Sequence, residues 1–180
     1  MSSKDLFLES LKSQYDKEFE RKTTLEGKGS NLLTIAGVVS TLIFGFGIFL
    51  IDSLDTSYEP LPILILLLIL SIVTNIVSIF FSVLSFRVQG YRYLMPSDSF
   101  YNEDETFNEE AIEEYSEEQD VGVLKDTLIE AHLRCNKHND LANDNKVVLI
   151  QIAQWFFFAG ISTIPFIVGI LLLNFPDTGG

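Results

Sequence analysis

The fold class this sequence predicts is an all-α integral membrane protein: three transmembrane helices with a helical cytoplasmic stalk and an acidic cytoplasmic loop. Three observations predict it. First, the 180 residues contain three long uncharged stretches: 23 residues between Lys28 and Asp52, 27 between Glu59 and Arg87, and 30 between Lys146 and Asp177. A helix rising about 1.5 Å per residue crosses the roughly 30 Å hydrocarbon core with about 20 apolar residues, so each stretch is long enough. Second, the chain is 47% hydrophobic with a mean hydropathy of +0.27, yet its formal charge is −13. Those values are compatible because charge and hydrophobicity occupy different stretches. Third, six of the 12 Lys and Arg residues precede the first stretch and six lie between the second and third. The short segment after the first stretch and the tail after the third have none, which orients the N-terminus to the cytoplasm and the C-terminus outside.

Residues 1–30 read as a cytoplasmic amphipathic helix. Ser2 and Asp5 make a capping box, Leu8, Leu11, Tyr15 and Phe19 form a narrow apolar stripe, and Glu18 and Lys22 form an i,i+4 pair suited to an exposed face. Two placements fit this helix, against a neighbouring helix or along the lipid surface. The alternation of acids and bases disfavours strong binding to anionic lipid. Residues 31–52 form the first span; the stretch is too long for a signal-peptide core and no small-x-small cleavage site precedes Asp52, so it reads as a retained span. A short extracellular loop at 53–61 leads to the second span at 62–86.

The segment 87–146 is cytoplasmic. Arg87 to Met95 extends the second helix until Pro96-Ser-Asp98 breaks it. From Tyr93 to Leu124 there are 11 acids and no base, which predicts a solvated acidic loop with a short helix around 109–118. A polar helix then runs from about residue 122 into the third span at 147–173, and its inner part pairs with the N-terminal helix. An extracellular tail at 174–180 follows. The single Cys135 allows no internal disulfide.

The spans carry regular small and polar patterns. Ser71, Asn75, Ser78, Ser82 and Ser85 recur at spacings of 4, 3, 4 and 3, the seam of a left-handed helix pair. Gly37, Thr41 and Gly45 offer a matching face on the first span, and the third contributes Gly160, Thr163 and Gly169 around Pro165. Small residues admit close backbone approach in lipid, and hydroxyls and amides bond across helices. These stripes either hold the helices together or line a narrow wet path in an oligomer. No span contains Asp, Glu, Lys, Arg or His, which disfavours ion-coupled transport. Three helices make too little wall for a pore within one chain.

Catalytic and ligand signals are sparse. His132, Cys135 and His138 form a His-x2-Cys-x2-His run of zinc-ligand types. On a continuous helix His132 and His138 lie about 9 Å apart along the axis, so one ion would need a helix break at 136–140 or a second subunit. There is no phosphate-binding glycine loop, no visible hydrolytic triad and no cofactor signature, and the acidic cytoplasmic face repels nucleic acid.

Other short patterns carry a resemblance. Glu20-Arg21-x3-Leu25-Glu26-x-Lys28-x3-Leu32-Leu33 leads into the first span, Arg92 and Pro96 follow the second, and Asn139-x3-Asn143-x2-Lys146 leads into the third. With the short outer hairpin, this layout resembles the small membrane effectors of bacterial and archaeal nucleotide-signalling defence systems, the Pycsar-effector and SLATT families. The resemblance implies spans that assemble and perturb the membrane when a sensor fires. Two features depart from it: no separate nucleotide-sensing domain is visible, and the acidic stretch at 98–120 matches no pattern of those families. The expectation is therefore a non-enzymatic, multi-pass plasma-membrane protein of a prokaryote, a homo-oligomer in the lipid bilayer without cofactor, with a basic protein as partner for the acidic loop. An accessory subunit of a membrane complex, or a membrane-anchored metal- or ligand-binding module, is the alternative.

Overall fold

A computed structural model describes residues 3–53, 58–87, 90–92 and 121–174. Three helices form among them: α1 (Ser3–Ser53), α2 (Leu61–Arg87) and α3 (Val121–Leu173). All three are long and apolar enough to cross a membrane. The capping serine Ser2, the proline break at 96–98, the acidic loop with its short helix and the tail beyond residue 174 lie outside the described residues.

Each helix keeps one face inward with near-heptad regularity. Along α1 the covered positions run Leu11, Tyr15, Glu18, Lys22, Leu25, Gly29, Leu32, Ala36, Val39, Ile43, Phe46 and Leu50, alternating steps of four and three. That 3.5-residue period is the signature of a packing seam between helices. Two expectations fail against it. Phe19 is exposed because the seam turns through Glu18 instead, and Glu18 and Lys22 lie on the covered side of the helix rather than on a solvated face. On α3 the buried steps from Asn139 through Ala142 and Lys146 to Ile150 are three, four and four, a local hendecad within a heptad pattern.

The start of α2 follows from its prolines. Tyr58 and Pro60 carbonyls accept from the Leu61, Ile63 and Leu64 amides, and Pro62 sits in the first turn, where a missing N–H costs nothing. At its other end α2 stops at Arg87, and residues 90–92 are not helical, so the expected continuation to Met95 does not form. Backbone groups of Gly90 and Arg92 bond to α3 side chains instead.

The chain divides into two compact units. The first comprises Met1–Thr24 and Gln89–Asp144, the second Leu25–Val88 and Asn145–Gly180. In the second unit two apolar clusters form the core: Ile43, Leu50, Leu64, Leu68 and Ile167, and separately Leu32, Ala36, Ala153 and Phe157. Its outer surface is apolar too, with Leu42, Ile48, Leu66, Trp155 and Phe166 all more than 60% exposed. Such a surface is a liability in water and the ordinary state of a helix facing lipid.

Candidate functional site

In the first unit, α1 and α3 pair through a face that is largely polar. Leu11, Cys135 and Ala142 are buried there beside His132, Asn136, Asn139 and Asn143. Buried amides need partners, and two of these find them in a clasp around residues 90–92. The Asn139 amide receives the Arg92 backbone N–H at 3.0 Å and donates to the Arg92 carbonyl at 3.2 Å, imitating a strand neighbour. One turn on, Asn143 donates to the Glu18 carbonyl at 3.0 Å and to its carboxylate at 2.7 Å, and accepts from the Tyr91 hydroxyl. A His138 ring N–H donates to the Gly90 carbonyl at 3.1 Å, and Lys22 lies 4.4 Å over the Tyr91 ring.

A guanidinium closes the edge of this cluster. Arg21 reaches Asp140 at 3.0 Å and Asp144 at 2.6 Å, two carboxylates one turn apart, with Glu18 at 3.5 Å. The hydrogen bond to Asp144 raises the Arg21 pKa against the opposing effect of desolvation, and the nearby carboxylates add to the rise. Arg21 is therefore a permanent charge that ties α1 to α3.

The His-x2-Cys-x2-His run is split among three surroundings. His132 is buried with its ring edge-on to Tyr15 at 5.9 Å, and its Nδ1 has no hydrogen-bond partner among the described residues. Burial lowers its pKa, nearby Lys12 adds to that, and Asp16 opposes it. Cys135 is buried, and burial raises its thiol pKa despite Arg92, the reverse of what a nucleophilic thiolate needs. His138 faces Gly90. α3 runs unbroken through 136–140, and no group of three metal-binding side chains comes together among the described residues.

In the second unit, α2 buries Leu64, Leu68, Ser71, Asn75, Ser78, Ser82 and Ser85 along one face. The Ser71 hydroxyl donates to the Gly160 carbonyl at 2.8 Å, which also accepts from Thr163 at 2.7 Å. Asn75 donates to the Ser71 carbonyl, and Ser85 to that of Ser82. Gly160 is needed for this approach: a Cβ there would stand 2.5 Å from the Asn75 amide nitrogen and 2.8 Å from the Thr74 hydroxyl. Gly29 has a similar role, since its Cβ would meet the Ser85 hydroxyl at 3.1 Å. Gly37, Thr41 and Gly45 stand elsewhere. Thr41 and Gly45 are exposed, Thr41 bonds back to the Gly37 carbonyl, and a Cβ added at either glycine would meet no atom within 4 Å. Steps of four advance about 40° around a helix, so this trio drifts off the 3.5-residue seam that carries the intramolecular contacts. Below the seam, Lys146 is 2% exposed and holds Glu26 at 2.7 Å.

A family model of the Pycsar effector protein domain matches residues 12–173. The chain belongs to that family. No curated protein and no solved structure matches it significantly. The Pycsar effector domain is a membrane effector domain, and the matched span takes in both the clasp and the α2 seam. Residues of the short patterns that carried the resemblance meet in space within each unit, Asn139 with Arg92 and Glu26 with Lys146, while Arg21 reaches Asp140 and Asp144, which stand at unspecified positions of the third pattern. Sequence reasoning did not single out Asn136 or Tyr91 as site residues, and it read Asp140 and Asp144 as carboxylates beside the His132, Cys135 and His138 run, where the structure gives them to Arg21. A signal was present in Asn136, Asn139, Asn143 and Lys146, spaced 3, 4 and 3, a polar heptad hidden in an already polar helix.

Proposed function

We propose that this Pycsar effector domain acts without enzymatic chemistry, as a multi-pass plasma-membrane protein whose copies assemble side by side and perturb the bilayer. The observation that carries the assembly is the lipid-facing Gly37, Thr41 and Gly45 face of α1, where none of the described residues stands within 4 Å of a Cβ added at either glycine and a second copy can approach the backbone closely. Orientation rests on the twelve-to-none division of Lys and Arg, which favours a cytoplasmic N-terminus and an external C-terminus. A surplus of acid on the cytoplasmic side disfavours nucleic acid and suits a basic protein partner at the acidic segment.

The test uses full-length protein in membranes with Cys135→Ser removing the native thiol. A Thr41→Cys variant on that background is expected to form crosslinked dimers. In a mild detergent, Thr41→Leu is expected to shift the protein to a smaller assembly, because the branched side chain holds the facing backbones apart. Unchanged assembly size in Thr41→Leu, with no crosslinking at Thr41→Cys, would remove this face from the proposal.

A further inference from the structure

Three fully buried side chains on consecutive turns of α2 have polar atoms without hydrogen-bond partners among the described residues: Asn75 through Oδ1, Ser78 and Ser82 through their hydroxyls. On α1, Ser40 also has an unpartnered, buried hydroxyl. Serine in a helix ordinarily satisfies itself by donating to a carbonyl one turn back, as Ser85 does here and as Thr41 does with its own hydroxyl. Ser78 and Ser82 do not. An isolated polar group in a lipid-shielded interior is expensive, and three at successive steps of one seam are a repeated feature rather than a lapse of packing.

The ends of this seam differ. Toward the start of α2 it meets an apolar plug of Ile43, Leu64, Leu68 and Ile167. Toward the end of α2 it reaches Ser85, and the same unit carries the Glu26 and Lys146 ion pair, whose Glu26 side chain is 39% exposed. We propose that the second unit holds a dead-end file of bound water along Asn75, Ser78 and Ser82, closed by the plug and reached from the Glu26 side.

Chemistry and spacing select water as the ligand. The unpartnered atoms are neutral acceptors and hydroxyls, and none of the three hydrophobic stretches offers a carboxylate to balance a cation. Asn75 and Ser78 are separated by about 4.5 Å of helix rise and Ser78 and Ser82 by about 6 Å. A water hydrogen-bonded on both sides at about 2.8 Å spans at most about 5.6 Å, so one water reaches from Asn75 to Ser78 and the longer step to Ser82 takes two, about three waters in all. The file serves one protomer and does not depend on assembly.

Isotope-labelled, full-length protein in liposomes tests this by solid-state NMR, with magnetisation transferred from water to side chains. Asn75, Ser78 and Ser82 are expected to receive it severalfold faster than Leu64 and Leu68 of the same helix. Transfer as slow as to those two leucines would overturn the proposal. A Ser78→Ala, Ser82→Ala double variant adds an independent reading. With water bound, removing its partners lowers Tm and slows transfer to Asn75; with a dry seam, deleting two unsatisfied hydroxyls raises Tm and the proposal fails. If the double variant does not fold, the wild-type measurement decides alone.

Discussion

The clasp of the first unit and the α2 seam of the second bury polar side chains in opposite ways, although His132 and Asn136, on α3 beside the clasp, also keep one unpartnered atom each among the described residues. Asn139 and Asn143 in the first unit have both ends of their amides engaged, and Arg21 bridges two carboxylates. On the α2 seam of the second unit, three of five polar residues keep an unpartnered atom, and the close contacts fall on glycine and serine. Helix periodicity is the same in both. The difference teaches that a 3.5-residue seam fixes which positions meet, while the surroundings decide what such a meeting must supply. In water, an amide that leaves solvent needs replacement partners; in lipid, packing distance and whatever water the seam retains set the stability.

The largest effect expected from breaking this contrast is at Gly160. Replacing Gly160→Val drives a branched group into Asn75 and Thr74, and we expect a loss of about 3 kcal/mol, read as a lower Tm in detergent. Gly27 in the same unit has open space at its Cβ, and Gly27→Val should stay within about 0.5 kcal/mol of wild type. Equal losses at the two glycines would show that helix propensity, and not the approach of α2 to α3, governs the unit.

Next in size is the Glu26 and Lys146 pair. Its members are unequal: the Lys146 side chain is 3% exposed and that of Glu26 is 39% exposed. Glu26→Gln removes a carboxylate from a buried ammonium and should cost about 2 kcal/mol, below the fully buried limit because one partner already touches water. Lys146→Met leaves a carboxylate that reaches solvent and should cost clearly less. Thermal melts of the two variants decide the order, and a reversed order would break the assignment of Lys146 as the desolvated partner.

In the first unit the amides should dominate the charges. Asn143→Ala removes its bonds to Tyr91 and Glu18 and should cost about 1.5 kcal/mol, while Asn139→Ala removes its bonds to the Arg92 backbone for about 1 kcal/mol. Arg21→Lys, at a more exposed site, should cost less than either and lose its effect in high salt. Urea unfolding of the three variants at low and high salt checks both statements.

These residues also show what the sequence could convey. The spans were legible because three uncharged stretches of more than 20 residues admit few other readings, and the α2 seam was legible because its serines stand out among leucines and isoleucines. The clasp was not. On a helix already rich in Asn, Asp and Lys, a buried amide is chemically indistinguishable from an exposed one until its partners arrive from residues 18, 91 and 92, far away in the chain. The α1 face was misjudged for a related reason. Gly37, Thr41 and Gly45 look like a contact motif, but Ala36, Val39, Ile43 and Phe46 follow the 3.5-residue period that the intramolecular seam uses. Small size marks where a helix can be approached, whereas period marks where its own chain approaches it.

The smallest effect, a slope rather than a step, belongs to His132. Burial and Lys12 hold its pKa below the ordinary 6.5, so below that pH the unfolded chain takes up the proton before the folded one does. Stability is then constant above about pH 6.5 as far as this residue is concerned, falls as the pH drops through 6.5, and levels off below the depressed folded-state pKa. His132→Phe keeps an aromatic ring against Tyr15 and removes the titration. The difference in stability between wild type and variant should therefore move in the variant's favour as the medium is acidified from about pH 7 to about pH 5. A difference that stays flat across that range would mean that the imidazole reaches water in the folded state, and the first unit would then share the hydrated character proposed for the second.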